Sequence, residues 1–377
     1  MRRALLLAVL TLTACVGDAP APADTDTAAG FEVVGPYVAG TAAFTATDAA
    51  RERTLNAQVW YPATESARAD ADAGFRVEQF GFGDEVETLT GLLAAARDPG
   101  TRRTAHAAVD APLADGGPWP VVMFSHCMNC TRFSTFQIAE RLASHGYAVI
   151  APDHAGGTLY DEVAGDSAPL GADFLNVRAA DISFLLDEAL DAGTTALPEA
   201  LRGQLDGTRV GVFGHSFGGI TTGRVLMLDD RPKSGLSFGA PMENPLTPGV
   251  TLADLHVPIA FVVATEDNSI TEVGNITIRN NYASANPPVT KLEVTDAGHW
   301  SFTTICGLTP SFDPGCDPDA TRQTDGAPFT YADIDAVREL SASWATAWFA
   351  ATLDDDADAR AWLLAPHDGA TVETREP

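Results

Sequence analysis

Basic side chains are scarce: 23 lysines and arginines stand against 51 aspartates and glutamates, a formal net charge of −28 over 377 residues. Nucleic-acid binding draws its affinity from lysine- and arginine-rich faces, so a nucleic-acid partner is excluded. A field of one sign also favours a soluble monomer. The acidic surplus reads as a solvated surface, because the run Asp354–Asp358 lacks the alternating ligand spacing of a calcium loop. Cysteines number only five, and no pair of histidines stands at ligand spacing, so no metal and no cofactor are expected. No internal repeat is present. What the chain has in quantity is apolar residues, 45% against 20% charged, enough to bury a substantial core.

The chain opens MRRALLLAVLTLTAC. Two arginines and the apolar stretch Ala4–Leu12 make an export signal, far short of the ~20 residues a membrane-spanning helix needs. Leu12-Thr13-Ala14-Cys15 resembles the lipobox of bacterial lipoproteins. The resemblance implies removal of residues 1–14, acylation of Cys15, and a membrane partner through that lipid. Val16 after the cysteine implies the outer membrane of a Gram-negative cell envelope. Residues 15–30, small and acidic with Pro and Ala, suit a flexible tether. Export to an oxidising compartment leaves Cys127, Cys130, Cys306 and Cys316 as disulfide candidates. The local pairs Cys127–Cys130 and Cys306–Cys316 are preferred, with crossed pairings open.

From residue 31 to the end one domain is expected, with an insertion at about 63–118 holding one helix near Glu85–Ala96. Thr54–Tyr61 alternates and ends at Pro62, which reads as an edge strand. Beyond Trp119 the apolar runs PVVMFSH, YAVIAPD, RVGVFGHS, LSFGAP, PIAFVVATED and KLEVTDAGH alternate with helical stretches. Such runs suit parallel strands covered on both faces, and the alternation predicts a doubly wound, mostly parallel α/β sheet.

Gly214-His215-Ser216-Phe217-Gly218 follows an apolar strand and precedes a helix rich in small residues. That setting makes G-x-S-x-G a nucleophile elbow, with Ser216 on a strained turn where flanking side chains would collide. A dinucleotide-binding loop would want glycines where His215 and Phe217 stand. A serine hydroxyl needs a base to take its proton. Of eight histidines, His299 in Asp296-Ala297-Gly298-His299-Trp300 stands just after the last of these strands and in the chain order nucleophile, acid, base. Asp267 ends the strand PIAFVVATED and is the expected carboxylate partner. Its neighbour Glu266 is the rival, since a one-residue shift in register exchanges them. The N–H of Phe217 is one expected oxyanion donor. Trp300, beside the base, is expected either in the substrate subsite or in packing.

Together FSH, RLASHGYAVIAPDH, GHSFGG and DAGHWSFT resemble the bacterial relatives of platelet-activating-factor acetylhydrolase. These are often called dienelactone-hydrolase-like and border the cutinase-like polyester hydrolases. The likeness covers roughly residues 55–350 and implies the α/β-hydrolase fold and a serine triad. It makes Met128 the second oxyanion donor, although Cys127 stands where the family has glycine. Two departures matter. Mammalian acetylhydrolases carry the acid near LSFGAP, where this chain has Gly239, which moves the acid to Asp267 as in polyester hydrolases. Dienelactone hydrolases proper use cysteine where Ser216 stands. The short Gly239–Leu255 stretch leaves no large lid. The expected activity is therefore carboxylic-ester hydrolysis on short-acyl or phospholipid-like esters. The alternatives are a cutinase-like polyester hydrolase and a non-catalytic lipid-binding lipoprotein.

Overall fold

The computed structural model describes residues 30–96, 104–313, 315–316 and 319–377. The signal, Cys15 and nearly all of the tether lie outside the described residues. Ten strands build the main sheet: β1 Val38–Asp48, β2 Arg53–Ala63, β3 Ala108–Val109, β4 Trp119–Ser125, β5 Ala148–Pro152, β6 Leu205–His215, β7 Pro232–Phe238, β8 Ile259–Ala264, β9 Val289–Val294 and β10 Ala370–Arg375. Their spatial order is β10-β9-β8-β7-β6-β4-β5-β2-β1-β3. The six strands from β9 to β5 run parallel, and β10 and β2 flank them antiparallel. This is the doubly wound, mostly parallel α/β sheet that the alternating apolar runs predict, in the α/β-hydrolase arrangement that the family resemblance implies.

Every residue of β4, β5 and β8 is buried, as strands covered on both faces must be. Successive residues feed opposite cores, because side chains alternate across a strand. Val122, Phe124 and Phe213 pack under helices α2 (Phe136–Ser144) and α6 (Ile334–Leu353). Val121, Met123, Val210 and Val212 face α3 (Ala172–Leu190) on the other side. Helix α4 (Phe217–Leu228) follows β6, and α5 (Thr271–Ser284) crosses between β8 and β9.

One expectation needs correction, and two elements go beyond what the periodicity shows. Strand β2 is not at an edge: it pairs with β1 on one side and β5 on the other. Pro62 stands beyond the β5 pairing, opposite Ala39, so its missing N–H costs nothing in the longer ladder. The polar segments Thr271–Ser284 and Ala370–Arg375, left unassigned by periodicity, form α5 and the edge strand β10. Asn, Thr and β-branched residues weaken the helical signal of the first, and the second has little apolar side chain to show.

The insertion packs on the segment that follows the Cys127–Cys130 loop. Phe80 stacks on Phe133 at 4.8 Å between ring centres, and the Arg132 guanidinium lies 4.5 Å over Phe82. Arg132 is fully buried and pairs with Asp153 while also donating to the Phe80 carbonyl. The insertion helix, α1 (Glu85–Ala95), matches its expected place.

Candidate active site

Strand β6 ends at His215 and α4 begins at Phe217, leaving Ser216 alone at the turn with φ 55° and ψ −122°. A non-glycine residue held there costs on the order of 1–3 kcal/mol, so the surroundings must enforce it. They do. A Cβ on Gly214 would lie 2.1 Å from the Gly218 carbonyl, and one on Gly218 only 1.8 Å from the Ser125 carbonyl oxygen. The elbow thus presses directly on the end of β4. The Ser216 N–H donates to the Phe238 carbonyl at 2.9 Å, tying the turn to β7. From Val210 to Gly223 every residue except Ser216 is buried.

His299 is fully buried, and its Nδ1 lies 2.6 Å from Asp267 Oδ2. Asp267 Oδ1 accepts the backbone N–H groups of Ser269 and Ile270, each at 2.9 Å. An acceptor carboxylate fixes the imidazole as the Nδ1–H tautomer, so Nε2 carries the lone pair. That Nε2 is buried without a hydrogen-bond partner. The loop bearing it is docked on the elbow: His215, the residue before Ser216, bonds the His299 carbonyl through Nε2 at 2.9 Å, and the two rings lie 4.7 Å apart. Gly239, directly after the carbonyl that holds Ser216, has φ 59°, and a Cβ there would come within 3.3 Å of His299 Nδ1. In this resting arrangement Ser216 Oγ makes no hydrogen bond to Nε2. Contacts of this kind commonly tighten only with substrate bound.

The neighbouring carboxylate, Glu266, is committed elsewhere. Its oxygens take Arg322 at 2.7 Å and the Gln323 N–H at 3.2 Å, and Arg322 also pairs with Asp296 at 2.7 Å. Of the two adjacent acids, Asp267 is the one that meets the imidazole. Trp300 is buried, edge-on to His299 at 4.7 Å and 4.6 Å from Phe312, so it buttresses the base. Its packing role is the one the contacts support.

Cysteines 127 and 130 form a disulfide, as do Cys306 and Cys316, which are the two local pairs. Met128 lies inside the first of them. Neither its N–H nor that of Phe217 has an acceptor among the described residues. The Asn129 N–H and the Leu159 N–H anchor the loop, donating to Gly157 and Cys130 carbonyls at 2.8 Å. The Met128 side chain packs with Phe174, Phe217 and Ile220. Beside them Pro169, Leu170, Phe174 and Val177 line a mostly apolar cavity of about 470 Å³. Among the described residues no three His, Cys, Asp or Glu side chains converge as a metal site.

Below this loop is a buried polar group that motif reading passed over: His154, Arg178 and Asp181, with Ser125 and His126. A sequence signal existed. Arg178 stands three residues after Leu175 on the apolar face of α3, where the helical period asks for a hydrophobe.

Comparison with known proteins fits this geometry. Residues 106–304, more than half of the chain, match the dienelactone hydrolase family. The chain belongs to that family. Its N-terminal part, residues 26–159, also matches platelet-activating factor acetylhydrolase, isoform II. A probable 1-alkyl-2-acetylglycerophosphocholine esterase of Arthroderma benhamiae is 32% identical over 130 residues, 32% of this chain and 30% of that protein. Platelet-activating factor acetylhydrolase of Bos taurus is 30% identical over 36% of this chain and 38% of its own length. Cutinase est2 of Thermobifida alba is 29% identical over 45% of this chain and 49% of its own. These matches thus span from under a third to about half of the curated relatives. A ferulic acid esterase structure from Streptomyces cinnamoneus superposes with a TM-score of 0.66 at 21% identity, covering 89% of this chain and 96% of that one. That likeness shows the α/β-hydrolase fold. The matched range holds the Ser216 turn, Asp267 and His299.

Proposed function

We propose that this member of the dienelactone hydrolase family is a serine carboxylic-ester hydrolase. One observation carries the reading: a buried imidazole, set by Asp267 in the tautomer with a free Nε2 lone pair, sits against an elbow whose one unburied residue is Ser216. Nε2 of His299 takes the Ser216 proton as Oγ attacks the ester carbonyl. The N–H groups of Met128 and Phe217 receive the oxyanion. The imidazolium, stabilised by Asp267, then protonates the leaving alkoxide, and water repeats the sequence on the acyl-enzyme.

Substrates are short-acyl or phospholipid-like esters. The apolar cavity beside Met128 and Phe217 suits the hydrocarbon part, and two relatives bear acetyl-ester names. A polyester substrate is the second reading, favoured by the cutinase match and by exposed Leu170 and Leu246. Ser216→Ala is expected to abolish turnover of p-nitrophenyl acetate with the circular dichroism spectrum unchanged. Unchanged turnover would overturn the assignment, and a folded, inert wild type that binds lipid would point to the non-catalytic lipoprotein. Clearing of an emulsified polyester film distinguishes the second substrate class. Export and acylation at Cys15 belong to the same proposal, supported by the two disulfides. Radiolabelled palmitate should enter the wild type and not Cys15→Ala.

A further inference from the structure

The expected oxyanion donor, Met128 N–H, belongs to the same peptide group as the Cys127 carbonyl. That carbonyl is held by the His126 ring: Nδ1 lies 2.6 Å from the Cys127 oxygen. The other ring nitrogen, Nε2, accepts the backbone N–H of His154 at 3.0 Å. A backbone N–H can only donate, so Nε2 carries the lone pair and Nδ1 carries the proton. His126 is therefore a neutral donor to the carbonyl end of the peptide whose N–H end would serve the oxyanion. Because the peptide is planar and trans, gripping its oxygen fixes the direction of its N–H. The hydrogen bond also polarises the peptide and strengthens that N–H as a donor.

The proton arrangement is set through the rest of the cluster. Arg51 and Arg53 hold Asp181, and Asp181 Oδ2 lies 3.0 Å from His154 Nδ1. His154 Nδ1 is thereby the protonated nitrogen, and its Nε2 accepts the Ser125 hydroxyl at 3.0 Å. Arg178 donates to that hydroxyl at 3.1 Å and to the His126 carbonyl. Both peptide groups leading into Met128 are thus held from beneath by side chains that are fully buried. Burial, the Arg178 charge and His154 push His126 well below the usual imidazole range.

We propose that His126 is a positioning residue that orients and polarises the Met128 N–H for the tetrahedral oxyanion, its tautomer set by the His154 N–H. The inference rests on the ester-hydrolase reading. An asparagine at this position can place its amide N–H where Nδ1 stands, whereas a glutamine reaches the Nε2 position and leaves the Cys127 carbonyl unpaired. His126→Asn is expected to keep kcat within about threefold. His126→Gln should lower kcat about 10- to 100-fold with KM within about twofold, somewhat less than the 10²–10³ lost with an oxyanion donor outright. Affinity for a trifluoromethyl ketone, which mimics the tetrahedral oxyanion, should fall in parallel with kcat. A folded His126→Gln with wild-type kcat, or with only KM changed, overturns the proposal. Should neither variant fold, ¹⁵N-histidine spectra of the wild type decide: protonated Nδ1 and bare Nε2 at His126 support it, and the opposite tautomer overturns it. Ser216→Ala run alongside separates the two readings, since its retained turnover would remove Ser216 as the nucleophile and leave the tautomer result standing.

Discussion

At Asp267 and Glu266, adjacent residues of one type of chemistry have been given different tasks by where each carboxylate points. Asp267 faces His299 and takes two backbone N–H groups, while Glu266 faces Arg322 at the end of the short hairpin strand Asp319–Thr321. Asp267→Asn should leave the fold intact and lower kcat about 10⁴-fold, because an amide can present its N–H to Nδ1 and force the wrong tautomer. Glu266→Gln should keep kcat within about threefold. Steady-state kinetics on the two variants checks the assignment, and a reversed order of effects would move the acid to Glu266. The elbow glycines belong to the same scale. Gly218 has no room for a methyl group against the Ser125 carbonyl, so their presence follows from sterics between the elbow and β4.

Two short covalent loops shape the elements around the site, and they should fail in different ways. Cys127–Cys130 closes a separation of three residues and Cys306–Cys316 one of ten. Loop-closure entropy gives about 2 kcal/mol for the first and about 3 kcal/mol for the second. Replacing Cys306 and Cys316 by serine should therefore lower the urea midpoint more. Replacing Cys127 and Cys130 should lower kcat more, since that loop carries Met128 beneath which His126 and Arg178 are packed. The crossed pattern, read from chemical denaturation and kinetics on both double variants, would be lost if neither loop touched the chemistry. The insertion contributes at this scale too, by laying Phe80 and Phe82 on the Arg132–Phe133 segment that leaves the loop.

Over the whole molecule, buried imidazoles set the response to acid. His126, His154 and His215 are fully buried, and in each case burial is the main cause that pushes the pKa down, His154 to about 3. The Arg178 charge adds to this at His126 and His154, and the nearness of His299 adds to it at His215. Below the ordinary imidazole value of about 6.5 the unfolded chain takes up protons that the folded protein does not hold. Stability is thus full above about pH 6.5 and falls as pH drops towards about 3. Burial opposes ionisation of Asp181, yet the hydrogen bonds from His154 and Arg53 and the Arg53 charge hold it near 2, so its share is lost between about pH 4 and 2. Urea midpoints at pH 7.5, 6, 5 and 4 should decline steadily, whereas a flat profile from 7.5 to 5 would contradict the buried neutral state. The surface field of a chain with net charge −28 adds self-repulsion at high pH, which salt would screen.

Much of the arrangement around Ser216 was legible before any coordinates, because short-range rules govern it. An apolar strand, a glycine-flanked serine and a helix of small residues can form only a few kinds of turn, and alternating apolar runs demand cover on both faces. The interior position of β2, the helix α5 and the strand β10 were not legible, since their pairing depends on partners far along the chain. The same holds for the Arg51–Asp181–His154–His126 chain. Those contacts join residues separated by 27 to 130 positions, and only the packed chain brings their donors and acceptors within hydrogen-bond range.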